Sequence, residues 1–193
     1  MTDDKIKAKD NALPMKREFS AGGAVYQKFG EEVKWLLGKH SGYHKWVLPK
    51  GMIEKGETSK ETAVRETEEE MGVVAKIVGD KPIHKEEYWF VATLDQKKEK
   101  QKEGQPVRRV KVYQENPEFE SENEEKVRVF KTVSFYLMEY VSGDPEKHDW
   151  EMEDAGWFGV EEPVELMAFE GERKAIEIAS KIVAESRLVQ SRA

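Results

Sequence analysis

Apolar and polar positions alternate along this chain in short runs, separated by three stretches with the longer period of a helix. Phe19–Gln27 mixes small and β-forming residues, and Val33–Leu37 is a second apolar run after the turn-like Phe29–Glu32, so the two predict a hairpin. Gly22-Gly23 inside the first strand marks either a bulge or a place where another backbone or a ligand comes close. Val73–Val78 predicts a short strand, and Glu86–Leu94, rich in aromatic and β-branched residues, a stronger one. Val127–Val141 alternates well enough for a long central strand paired with Glu86–Leu94, and Trp150–Phe158 adds another, weakened by Gly156.

The first helical stretch has the clearest ends. Thr58 and Glu61 are spaced as a capping box, and Gly72 provides a C-terminal stop. On a 100° wheel Ala63, Val64, Thr67 and Met71 form a core-facing stripe, and Glu66, Glu69 and Glu70 converge on the neighbouring face. Like charges at these spacings oppose a helix by roughly 0.2–0.5 kcal/mol per pair, with Arg65, four residues before Glu69, as the local offset. Such a density of acid asks for a cation. Farther on, Glu161–Phe169 predicts a short helix with Pro163 in its first turn. Glu172–Ser186 is amphipathic, with Ala175, Ile176, Ala179, Ile182 and Val183 on the face that should pack on the sheet.

The remaining segments are aperiodic. Residues 1–16 read as a loose leader, Lys39–Lys45 as a loop carrying His40, Tyr43 and His44, and 187–193 as a tail. About 95–126 is a charged insertion: seven Lys or Arg from Lys97 to Lys111, then Glu115, Glu118, Glu120, Glu122, Glu124 and Glu125. It reads as solvated, although Val107–Tyr113 has the composition of an edge strand.

Charged residues make up 37% and apolar ones 38%, which suits one core domain with solvated additions. The net charge of -7 argues against broad binding to nucleic acid or an anionic membrane, so polyanions would be met through metal. Having no cysteine, the chain is without disulfides, thiolate metal sites and cysteine nucleophiles. No apolar run approaches a membrane span and the start lacks a signal-peptide core, so a cytoplasmic protein is expected.

Gly51, Glu57, Arg65, Glu66, Glu69, Glu70, Gly72 and Val73 stand at the spacing of the Nudix signature, G-x5-E-x7-R-E-U-x-E-E-x-G-U with U aliphatic. Thr67 alone departs, at an aliphatic position. Because a threonine can bond back to the preceding turn, a small packing change with intact chemistry is expected. The chain resembles the Nudix hydrolases over residues 17–186, with GGAV, WVLPKG, KTVSFYLM and EMEDAGWF similar to the family's layout.

That resemblance implies an α/β fold, an α/β/α sandwich with a mixed β-sheet between helices. It implies a metal-dependent pyrophosphohydrolase cleaving a nucleoside diphosphate linked to another moiety. The Pro-Lys-Gly lead-in is most like that of the dinucleoside polyphosphate hydrolases, and oxidised-nucleotide diphosphatases share it. Hard divalent cations, Mg2+ or Mn2+, suit an all-oxygen site and the charge of a phosphoanhydride. The implied metal residues are Glu66, Glu70, Glu69, Glu57 and Gly51, with Glu57 either a ligand or the partner of Arg65. The implied catalytic residues are Glu69, Glu70, Glu66, Arg65 and the late Glu151, with Glu153 as its alternate; the general base stays open. Lys50 is a candidate phosphate clamp or a solvated turn residue. Tyr43, Trp46 and Tyr88 are candidates to stack a base or are ordinary packing. The expected partner is a small nucleotide, with no membrane or nucleic acid, as monomer or homodimer. Two rival readings are a Nudix-fold sensor that binds a nucleotide without turnover and an RNA 5'-cap hydrolase, the latter needing the basic run Lys97–Lys111 as an RNA path.

Overall fold

The computed structural model describes residues 13–94, 125–159 and 161–190. Among them eight strands form one sheet: β1 (Met15–Phe29), β2 (Glu32–His40), β3 (Trp46–Val47), β4 (Lys50–Met52), β5 (Val73–Ile77), β6 (His84–Leu94), β7 (Glu125–Gly143) and β8 (Met152–Phe158). The helices are α1 (Ser59–Met71), α2 (Glu162–Leu166) and α3 (Glu170–Gln190). The sheet runs β3-β2-β1-β7-β5, with β4 beside β1, β6 beside β7 and β8 beside β2. The expected α/β class, the β1–β2 hairpin and the pairing of β6 with β7 are all present.

The β1–β2 hairpin forks, and the fork builds the site. Its closed end pairs Tyr26 with Trp35 through to Phe29 with Glu32. Beyond it β2 pairs with β8 and β3, and β1 pairs with β4 instead, Ala21 opposite Gly51 and Gly22 opposite Lys50. Trp46–Met52 therefore crosses from one prong to the other. At the crossing the Pro49 carbonyl accepts the Gly23 N–H at 3.1 Å, and a Cβ on Gly22 would strike that same carbonyl. Gly22 thus serves a close backbone approach, and Gly23 leaves room for the Met138 side chain and the Thr67 hydroxyl. Sequence reading took this crossing for a turn and missed β3 and β4, whose two and three residues are too short for a periodic signal.

Strand alternation then assigns the two faces. Ala21, Leu36, Val47 and Met138 pack with Ala63 and Met71 of α1 in one buried cluster. Trp35 and Leu37, flanking Leu36, are fully buried yet point to the opposite face, where α3 buries Ala175, Ile176 and Ala179. Each such burial contributes about 1.5–3 kcal/mol for a large apolar side chain.

Both caps of α1 form as expected. Glu61 N–H donates to Thr58 Oγ1 at 3.3 Å, Thr58 N–H donates to the Glu61 carboxylate at 2.7 Å, and Gly72 ends the helix at φ 64°. The buried stripe is rotated slightly from the expected one: Thr62, Ala63, Thr67, Glu70 and Met71 are buried and Val64 is only half-buried. Thr67 Oγ1 donates to the Ala63 carbonyl at 2.8 Å, the back-bond anticipated for the departure from the aliphatic pattern.

The chain divides into two compact units. The larger, 19–86 with the described residues from 132 onward, holds β2, β3, β4, β5, β8, the three helices and the part of β1 from Phe19 onward. In the smaller, Arg128 N–H donates to the Pro14 carbonyl at 2.9 Å and its guanidinium lies 4.5 Å from the Trp89 ring centre. The charged insertion, through residue 124, lies outside the described residues, as do residues 1–12 of the leader.

Candidate active site

Arg65 organises the acidic face of α1. Its Nε and Nη2 donate to the two oxygens of Glu57 at 2.7 and 2.9 Å, and Nη1 donates to Glu66 at 2.7 Å and to Glu69 at 2.9 Å. Nη2 also reaches the Met52 carbonyl at 3.2 Å, tying the helix to β4. Glu57 additionally accepts Glu54 N–H and the Thr62 hydroxyl, both at the oxygen that takes Nη2, so it receives four hydrogen bonds in all. The guanidinium, with these two further donors, lowers the Glu57 pKa to about 2. Of the two roles expected for Glu57, the geometry favours partner of Arg65.

The other three glutamates differ in setting. Glu69 is the exposed one, its side chain 57% accessible, and Glu66 is 12% accessible. Glu66 lies against Gly51, where any Cβ would collide with its carboxylate. Glycine at 51 is therefore a packing requirement for Glu66, and the register explains it: Ala21 and its partner Gly51 face α1. Glu70, 8% exposed, accepts the Lys50 peptide N–H at 2.9 Å. Burial raises its pKa to about 8, against the opposing pull of Lys50, with the negative charges of Glu66 and Glu151 adding to the rise. Glu66 is raised for the same first reason, burial, with Glu69 and Glu151 contributing.

Glu151 thus belongs electrostatically to this group, from the turn before β8, where its own N–H is held by Asp149 at 2.8 Å. Its alternate, Glu153, is occupied elsewhere: Lys39 Nζ and His44 Nδ1 each lie 2.6 Å from it, and they hold its pKa down. His40 accepts the Gly42 N–H and stacks on Tyr43 with ring centres 3.9 Å apart; burial, then Lys50, lowers its pKa. Tyr43 also meets Phe169 edge-on, and Trp46 meets Phe158 edge-on at 4.7 Å. Both rings are at least partly structural packing. Tyr88 belongs to the smaller unit.

Lys50 does not sit in the expected place. Adjacent to Gly51, it faces the other side of the sheet, and its Nζ forms a 2.7 Å ion pair with Glu172 of α3. Glu172 is itself buried and its second oxygen accepts Leu48 N–H at 3.0 Å. Sequence reading missed Glu172, though a signal was present. It falls on the apolar stripe with Ala175, Ile176 and Ala179, where a carboxylate requires a buried partner.

The donor set suits a hard divalent cation in chemistry: all ligating atoms are oxygens, Glu66 and Glu70 stand one turn apart, and their charges are mutually unfavourable. Among the described residues no three carboxylates or imidazoles already surround one point; Arg65 holds Glu57, Glu66 and Glu69 in its fork.

Residues 16–178 match the NUDIX domain family. The chain belongs to the Nudix family. Among curated proteins it is 29% identical over 172 residues to MutT4, a proposed mutator protein of Mycobacterium tuberculosis, covering 86% of this chain and 56% of that one. It is 50% identical over 40 residues, 21% of this chain and 27% of the relative, to the asymmetrical bis(5'-nucleosyl)-tetraphosphatase of Sus scrofa. This Nudix chain therefore spans little more than half of the first relative and about a quarter of the second. Among solved structures it is similar to a C. elegans Ap4A hydrolase binary complex, with TM-score 0.58 and 19% identity over 87% of this chain and 98% of that one. A likeness at that identity supports the fold, and the Nudix sandwich is the fold expected from the sequence. No helix among the described residues is long and apolar enough to cross a membrane.

Proposed function

We propose that this Nudix hydrolase is a metal-dependent pyrophosphohydrolase whose substrate is a nucleoside diphosphate linked to another moiety, most specifically a dinucleoside polyphosphate. The observation that carries the reading is the grouping of Glu66, Glu70 and the charge of Glu151 beside Gly51 of β4. Glu66 and Glu70, with Glu69 beside them, would hold Mg2+ or Mn2+, which when bound neutralises phosphate oxygens and acidifies water. The dinucleotide assignment is supported by the Pro49-Lys50-Gly51 lead-in and the local 50% identity to the tetraphosphatase.

The chain's own groups then have distinct tasks. Arg65 holds Glu66 and Glu69 at set positions relative to β4. Gly51, lacking a side chain, leaves room for the Glu66 carboxylate at the β4 edge. Water attacks phosphorus, the bridging P–O bond breaks, and the water's proton passes to a carboxylate oxygen of Glu69, Glu70 or Glu151. The nucleotide on the far side of that bond leaves as an anion, and because water itself attacks phosphorus no covalent enzyme intermediate is formed.

A panel of dinucleoside polyphosphates, sugar nucleotides and oxidised nucleoside triphosphates, each with magnesium and with manganese, tests this reading. Turnover that requires the metal and is greatest on a dinucleoside polyphosphate is the expected result. Tight binding of one nucleotide with no cleavage of any would favour the sensor reading instead.

A further inference from the structure

The buried ion pair between Lys50 and Glu172 is a strong interaction near the site that the proposed chemistry does not use. It links the crossing Trp46–Met52 to α3, on the face opposite α1. Glu172 holds that crossing at two points, Leu48 N–H at 3.0 Å and Lys50 Nζ at 2.7 Å. Lys50 in turn places its peptide N–H 2.9 Å from the Glu70 carboxylate, and the next residue is the glycine against Glu66. One carboxylate on α3 therefore constrains both ends of the three-residue segment Leu48–Lys50, whose backbone, with the Gly51 that follows, orients two carboxylates on α1.

The base of α3 is itself anchored. Gly171 N–H donates to Glu86 at the start of β6, and a Cβ at Gly171 would collide with that carboxylate. Glu172 is thus held from behind, and its two contacts are not those of a solvated side chain that can wander. A buried pair of this kind contributes little net stability, because desolvation of both charges offsets most of their attraction. Its effect is on geometry.

We propose that Glu172 is a positioning residue for the Nudix site: by clamping Leu48 and Lys50 it sets the Lys50 N–H on Glu70 and the Gly51 backbone against Glu66. The proposal rests on the reading of Glu66 and Glu70 as metal residues only for its consequence; the clamp is a property of the chain alone. Groups that orient ligands from one layer out typically cost about 10–100-fold in metal affinity or activity when removed.

The test uses the full chain with Glu172→Gln, the double variant Lys50→Met/Glu172→Leu, and Ile176→Val as a control. The control trims a buried neighbour on α3 and should lower Tm slightly without touching the clamp. Amide hydrogen exchange at Lys50 is read first, without metal, then Mn2+ affinity by electron paramagnetic resonance without substrate, then kcat and KM. Glu172→Gln should speed Lys50 exchange, weaken Mn2+ by about tenfold and lower kcat more than it raises KM. The double variant leaves no unpaired buried charge, so its thermal stability should recover while Mn2+ affinity stays weak. Parent-like Lys50 exchange in Glu172→Gln overturns the proposal, as does an equal loss of Mn2+ affinity in Ile176→Val. If the parent binds no Mn2+, the metal-dependent function fails, and the exchange result alone decides the clamp.

Discussion

Arg65 grips Glu57 through two parallel hydrogen bonds of 2.7 and 2.9 Å while its remaining nitrogen holds Glu66 and Glu69. The planar fork does what a lysine cannot: it fixes three carboxylates in direction as well as in charge. Arg65→Lys should therefore retain the fold and lose activity by about tenfold or more, with the magnesium concentration for half-maximal rate shifted upward. A magnesium titration of both proteins checks this, and an unchanged half-saturation would separate Arg65 from the metal residues.

Gly51→Ala is the smallest change that reaches Glu66. The added methyl meets the far end of a flexible side chain, so Glu66 must move while the strand stays paired with β1. A displacement of about 1 Å at a reacting group costs on the order of 100-fold in rate. The far-ultraviolet circular dichroism should be that of the parent and kcat roughly 100-fold lower. Parent-like turnover would place Glu66 outside the chemistry.

In metal-free protein the stability should fall as pH rises. Burial, opposed in part by Lys50, lifts the Glu70 pKa from 4.5 to about 8, so between those values the native state keeps a proton that the unfolded chain has released. Unfolding is then favoured by raising the pH through that window, and the slope disappears above the folded pKa. Thermal unfolding in a chelator should show Tm dropping by about 5 °C or more from pH 5 to pH 8 in the parent. Glu70→Gln, which cannot ionise, should flatten that dependence.

Thr67→Val restores the aliphatic residue of the signature. The Thr67 hydroxyl donates to the Ala63 carbonyl, whose helical role does not depend on it, so its loss leaves no orphaned acceptor. Stability should rise by up to about 0.8 kcal/mol, the worth of one more buried methyl-sized group, with kcat unchanged, measured by urea unfolding and steady-state rates. A large loss of stability would show instead that the contact of the hydroxyl with the Met138 sulfur, at 3.7 Å, matters more than its geometry suggests.

The helix and its acidic face are legible in the sequence because caps and a 3.6-residue period are local signals. Thr58, Glu61 and Gly72 mark the ends of α1 without reference to the rest of the chain. The two-glycine run at 22 and 23 was legible only as a choice, since Pro49, the partner it makes room for, is 26 residues from Gly23. The reading of Lys50 as a solvated turn residue fails for a related reason. Its neighbour Gly51 faces α1, and only the register with Gly22 and Ala21 shows that Lys50 must face the other way. Glu172 carried its signal in the stripe of α3, but its partner lies 122 residues earlier than itself, across the sheet. Glu57 shows the remaining limit: spacing placed it near Arg65, and only coordinates could count the donors already on its oxygens.

The most direct measurement is hydrolysis of diadenosine tetraphosphate with magnesium, followed by phosphorus NMR for the parent and for Glu70→Gln. The account predicts conversion by the parent to two nucleotide products with uptake of one water, abolished by a chelator. It predicts a rate lower by about 100-fold or more in Glu70→Gln. A parent that leaves this and every other nucleotide pyrophosphate intact, or a Glu70→Gln protein as active as the parent, would contradict it.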